Sequence, residues 1–216
     1  LQVTASQDGN TIAVEVRKPR GEAFTGFGFH QSASARLIVS LPRNADVRAR
    51  SGDGSIRIEH VSGRVELRTG DGSISATDVS GDLTLNTGDG SVTVDGAQGR
   101  LALETGDGSV NVTGKLSGVR LHTGDGSIVY RSQPGTEMTE DWDITTGDGS
   151  VSIYLSQGFV GELDAHTGDG SIRSDLSLFS PASGENARRT LRGKIGAGGK
   201  VLRIRTGDGS IKLRTN

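Results

Sequence analysis

Eight aspartates, Asp53, Asp71, Asp89, Asp107, Asp125, Asp148, Asp169 and Asp208, each sit between two glycines and ahead of a serine. A row of carboxylates can ligate a hard cation such as Ca2+, supply a pair of acids for glycosidic cleavage, or cap backbone N–H groups in tight turns. From Asp53 to Asp125 they recur at a constant interval, and Asp148, Asp169 and Asp208 follow at wider and unequal ones. A catalytic pair is local and singular, whereas this phrase is periodic. Calcium-binding rolls carry acids at both turns of each coil. Here the second corner, Val61-Ser62-Gly63-Arg64, has none, and a cage of roughly six to eight oxygens is hard to assemble from one acid per coil. Turn capping is the expected role, with a calcium-stabilised roll as the alternative and a carbohydrate-active β-helix enzyme behind both. No catalytic, cofactor-binding or metal-ligating residue is assigned, and no cofactor is expected.

Three places before each aspartate lie Arg50, Arg68, Asn86, Glu104, His122, Thr145, His166 and Arg205. Glu104 and His122 fall in neighbouring repeats, with His166 two further on, which would suit a metal or pH-sensitive patch. A solvated face of mixed charge is the simpler expectation. Arg188, Arg189, Arg192 and Lys194 form a basic run, read as a solvated loop in preference to an anion site. The sequence has no Gly-x-Ser-x-Gly elbow, phosphate loop or His-Glu-x-x-His motif.

The elements that must position these residues are strands. Three places after each aspartate stands Ile56, Ile74, Val92, Val110, Ile128, Val151, Ile172 or Ile211; six before stands Val47, Val65, Leu83, Leu101, Val119, Trp142, Leu163 or Leu202. Four before, Ala49, Leu67, Leu85, Leu103, Leu121, Ile144, Ala165 and Ile204 complete a mostly alternating apolar–polar pattern. Period two with β-branched residues between turn signals predicts short half-buried strands, two per repeat unit. Glycines at both corners, with Gly63, Gly81 and Gly99 at the second, fit backbone of positive φ. Near-identical inward positions favour like stacked on like. The fold expected is therefore all-β, a single-stranded β-solenoid (β-helix) of about 18-residue coils, in preference to an antiparallel meander.

The N-terminal segment, 1–46, lacks the phrase and is expected to form a β cap ahead of solenoid repeats over 47–216, one structural domain overall. Residues 11–17 and 36–41 read as strands, the latter ended by Pro42. Phe24, Phe27 and Phe29 lie between them and are expected to plug the core. Insertions fall near 131–141 and 179–200, the second with a degenerate turn at 183–186. Lys212 and Arg214, on the last strand, read as charges guarding an open edge.

The 216 residues carry 34 Gly, no Cys and a formal net charge of −2. Disulfides, thiolate metal sites and Cys nucleophiles are excluded. The charge gives no reason to expect nucleic acid, and no apolar run is long enough for a membrane-spanning helix.

The segment from Leu41 to Val47, the Thr-Gly-Asp-Gly-Ser-Ile/Val repeats and the closing stretch from Gly198 to Ile211 resemble a bacterial adhesin-like, β-strand-repeat family of unknown function. That resemblance implies a β-solenoid in envelope or exported proteins and brings no catalytic residues. The expectation is a non-catalytic, extracytoplasmic spacer or interaction module, monomeric or weakly oligomeric, with its export signal removed. Its partner would be another envelope protein or a polysaccharide, without nucleic acid and without membrane insertion of this fragment.

Overall fold

A computed structural model describes residues 2–17, 36–179 and 188–216. Two compact units make up the chain, Leu1–Leu41 and Pro42–Asn216. In the first, β1 (Gln2–Asp8) pairs antiparallel with β2 (Thr11–Arg17), with Val3 opposite Val16 and Ala5 opposite Val14. Gly9, at φ 56°, makes the turn between them. Residues 36–41 form no strand. Their run of Leu37, Ile38 and Val39 lacks the alternation that gives a strand one buried face, and all three are exposed. Phe24, Phe27 and Phe29, and the expected turn at 183–186, lie outside the described residues.

The second unit winds through β3 (Val47–Arg50), β4 (Ile56–Glu59), β5 (Ser62–Thr69), β6 (Ile74–Thr77), β7 (Ser80–Thr87), β8 (Val92–Thr105) and β9 (Val110–Thr123). Parallel pairs set Val47 beside Val65, Val65 beside Leu83 and Leu83 beside Leu101, each one repeat further along the chain. The strands following the phrase stack likewise, Ile56 on Ile74 on Val92 on Val110. A register shift between Gly99 and Arg100 brings Gly118, rather than Ser117, beside Arg100. The result is a mostly parallel, solenoid-like sheet that does not close into a barrel. No helix among the described residues is long and apolar enough to cross a membrane.

Alternation fixes which side of each strand is core. The inward Val65, Leu67, Leu83, Leu85, Val92, Val110 and Leu121 are buried, whereas the intervening residues reach solvent. Full burial of one such side chain is worth about 1.5–3 kcal/mol, so a one-residue slip, which would turn this column outward, is strongly disfavoured. After β10 (Ile128–Ser132) the insertion lengthens the lap before β11 (Trp142–Thr146) and β12 (Val151–Leu155). Thr123 now pairs with Thr146 and Ile128 with Val151, a longer step along the chain than in the regular laps. Here the core changes from aliphatic to aromatic. Tyr130 and Trp142 meet edge-to-face at 5.3 Å between centroids, and Phe159 packs on Trp142 at 5.5 Å.

The last laps depart from chain order. β13 (Gly161–Thr167) and β14 (Ile172–Ser174) do not stack on β11 and β12. The chain continues through β15 (Leu178–Phe179) and β16 (Thr190–Ile195), the latter antiparallel to β13, then enters β17 (Val201–Thr206) and β18 (Ile211–Thr215). β17 lies between β11 and β13, and β18 between β12 and β14. The final repeat thus fills a one-lap gap left by its predecessor. The expectation that Lys212 and Arg214 guard an open edge is corrected accordingly, because their strand has a parallel partner on each side.

Candidate functional site

The repeated corner is built from threonine and glycine. Position −2 from each aspartate shares the inward parity of positions −4 and −6, and Thr87, Thr105, Thr123, Thr146, Thr167 and Thr206 are buried there. Each hydroxyl reaches two glycine carbonyls of the neighbouring lap: Thr105 Oγ1 donates towards Gly88 O at 3.3 Å and Gly90 O at 3.1 Å, and Thr87 Oγ1 towards Gly70 O at 3.2 Å and Gly72 O at 2.8 Å. The same bonding joins the inserted lap, where Thr206 reaches Gly147 and Gly149, and Thr167 reaches Gly207 and Gly209. Of each pair, the buried carbonyl, Gly90 or Gly72, has no backbone donor and is satisfied in this way, whereas the more exposed one, Gly88 or Gly70, also accepts a backbone N–H from the next lap. The first phrase, with Ser51 in place of threonine, uses Ser51 Oγ to accept from Gly54 N–H at 3.0 Å.

Capping is therefore not done by the aspartates, as expected from the sequence. All eight are exposed, and among the described residues none of their carboxylates accepts a hydrogen bond from a turn. Among the described residues, Asp169 alone pairs with a cation, Arg189, at 3.4 Å. Full solvation explains how the row is tolerated, since about 4.8 Å between strands costs only ~1 kcal/mol per neighbouring pair in water. The phrase glycines are also present for a different reason. Gly63, Gly81 and Gly99 at the second corner do have φ of 146°, 114° and 107°, but Gly70, Gly88 and Gly106 do not take positive φ. A Cβ on any of those three would stand 2.7 Å from the carbonyl oxygen of the lap below. Close approach of stacked backbones, not turn handedness, demands them.

The outward column three before the aspartate is corrected in order. Glu104 lies beside His122, and His122 beside Thr145. The inserted β17 then places Arg205 between Thr145 and His166. His166 is therefore three places from His122, and its Nδ1 lies 2.9 Å from Thr190 Oγ1. Among the described residues no three His, Asp or Glu side chains converge as a metal site would require.

Two clusters on this same face were missed in the sequence. Glu66 meets Arg48 at 2.9 Å, Arg68 at 3.0 Å and Arg50 at 3.6 Å. Desolvation pushes its carboxyl up, but the three guanidiniums outweigh that and hold it below the usual range. At the far end Asp164 accepts from Arg205 at 2.6 Å and Arg192 at 2.9 Å, and these bonds overcome its desolvation to lower its carboxyl likewise. Part of the basic run thus serves an internal ion pair. The signal was present as opposite charges at one repeat offset, Arg48 and Glu66 for example. Asp164 was hidden because its partners come from an out-of-order lap and an antiparallel strand.

With this geometry established, the chain matches Toastrack DUF4097 over residues 1–214. It belongs to that family, a domain of unknown function. No curated protein and no solved structure matches it. The Toastrack match supports the resemblance drawn from the repeats as far as a β-rich, solenoid-like domain. It carries no adhesive activity with it. In this Toastrack chain the repeated Thr-Gly-Asp-Gly phrase is foremost a stacking device, and the chemistry open to solvent lies in the outward columns.

Proposed function

We propose that this Toastrack chain is a non-catalytic β-solenoid of about 18-residue coils that works outside the cytoplasm as a rigid spacer or interaction module. The observation that supports it best is the parallel ladder with its buried threonine corner, which fixes outward side chains in columns one strand spacing apart. Such a surface binds through many modest contacts to a repeating partner, an envelope protein or a polysaccharide. The calcium-dependent alternative draws on the eight exposed aspartates without turn partners. Thermal unfolding with calcium and with EDTA separates the two. Superimposable curves are expected, because the corner is held by threonine hydroxyls; a loss of stability in EDTA that calcium restores would overturn the ion-free reading. Fractionation of cells expressing the complete gene product is expected to find it outside the cytoplasmic membrane, and cytoplasmic recovery would refute that placement.

A further inference from the structure

The two outward faces of the last laps are wired differently. On the face that precedes the phrase, the arginines of these laps are matched: Arg203 meets Asp143 at 3.6 Å, and Arg192 and Arg205 share Asp164. On the face that follows it, Arg131, Lys212, Arg214 and Arg173 project from β10, β18 and β14 around Tyr154 of β12. Parallel register sets Arg131 beside Tyr154, Tyr154 beside Arg214 and Lys212 beside Arg173. None of the four cations forms an ion pair among the described residues. Like charges directly opposite on a sheet face are destabilising, and among the described residues no carboxylate pairs with Lys212 or Arg173. Asp175, at the edge, accepts instead from the Thr215 N–H, and the corner aspartates stand where the chain enters these strands. The out-of-order insertion of β18 is what assembles the patch.

We infer that this face binds an anionic polysaccharide, the charge-complementary partner for cations in two rows running along the stack. Arg131 lies over the Tyr154 ring at 4.8 Å and donates to Asn111 Oδ1 at 3.3 Å, so its guanidinium is held in place rather than free to sweep. Short polar side chains, Asn111, Thr113 and Ser152, share the face and suit sugar hydroxyls. An anionic bilayer is the poorer fit, since interfacial binding needs an apolar anchor and the exposed large hydrophobics described in the second unit, Val160 and Phe179, lie ahead of β13 and in β15. A single-stranded nucleic acid needs open aromatic platforms, and Arg131 covers a face of the one ring present.

This inference rests on the interaction-module reading, and the test separates the two. The full chain is titrated calorimetrically with polygalacturonate, with neutral dextran, phosphatidylglycerol vesicles and single-stranded DNA as the other arms. Polygalacturonate is expected to bind with salt-sensitive affinity and dextran not to bind. Lys212→Gln, Arg173→Gln and Arg131→Gln should each weaken binding about two- to five-fold, and the triple variant more than about tenfold. Arg131→Lys should retain most of the affinity, and Arg57→Gln, in the same column at the far end of the stack, all of it. Coincident melting curves verify that the variants fold. Absence of polygalacturonate binding, equal loss in Arg57→Gln, or tighter binding to vesicles or DNA would overturn the inference. New reducing ends would instead overturn the non-catalytic reading and leave the face standing.

Discussion

Replacing one phrase glycine by alanine in two different laps separates close packing from turn conformation. Gly52 and Gly106 hold the same place in the repeat, and neither takes positive φ. A Cβ on Gly52 meets nothing within 4 Å among the described residues, since no phrase precedes the first. A Cβ on Gly106 stands 2.7 Å from Gly88 O, a backbone atom that already accepts from Gly106 N–H and Thr105 Oγ1. Relief requires the two laps to part locally, at the cost of these bonds. Overpacking of this kind costs about 1–3 kcal/mol, and loosening two hydrogen bonds adds about 1 kcal/mol each. Against this, Gly→Ala recovers about 0.4–1 kcal/mol from the unfolded chain. Gly106→Ala should therefore lose about 2–5 kcal/mol, a fall of roughly 4–20 °C in Tm at about 2–4 °C per kcal/mol, whereas Gly52→Ala should be neutral or slightly stabilising. Urea and thermal unfolding by far-UV circular dichroism provide the measurement. Gly158→Ala, at φ 80° with open space around it, reports the cost of backbone strain alone. If Gly52→Ala and Gly106→Ala unfold together, the close-approach argument is wrong.

Thr105→Val keeps the shape but removes the donor to the buried Gly90 carbonyl, while Gly88 O keeps the Gly106 N–H, and should cost about 1–3 kcal/mol in urea unfolding, with Thr105→Ser recovering much of the loss. Equal stability of Val and Thr would show the hydroxyl ladder to be incidental. Asp164 titrates below its ordinary range in the fold because Arg205 and Arg192 bind its ionised form. Its contribution is complete above the unfolded value of about 4 and is lost as pH falls through the lower folded value. Unfolding free energy of Asp164→Asn should accordingly fall less steeply in acid than that of the parent; parallel pH profiles would refute the coupling.

Parity made most of the core legible. Valine, leucine and isoleucine at every second place can bury only one face of a strand, and their recurrence once per repeat leaves parallel stacking as the economical way to bury them all. The same parity already placed Thr105 and its equivalents inward at position −2. They went unread because a polar residue beside Gly-Asp-Gly looks like part of an exposed turn. β1 was missed too, although Val3 and Ala5 alternate up to a two-residue Gly9-Asn10 turn of the type that closes hairpins. The order of the last laps was not legible by either route. Trp142, Leu202 and Leu163 occupy one column in the order β11, β17, β13, yet any of the interchangeable repeats satisfies the same inward pattern. When coils are alike, local chemistry specifies that a lap fits the stack but not which place it takes. That choice falls to the connections: β16 turns back antiparallel along β13, and Asp141 Oδ1 accepts from the Val201 N–H at 2.9 Å, at the start of the returning strand. The unmatched cations around Tyr154 follow from this connection, so the most distinctive surface of the chain arises where its repeat is least regular.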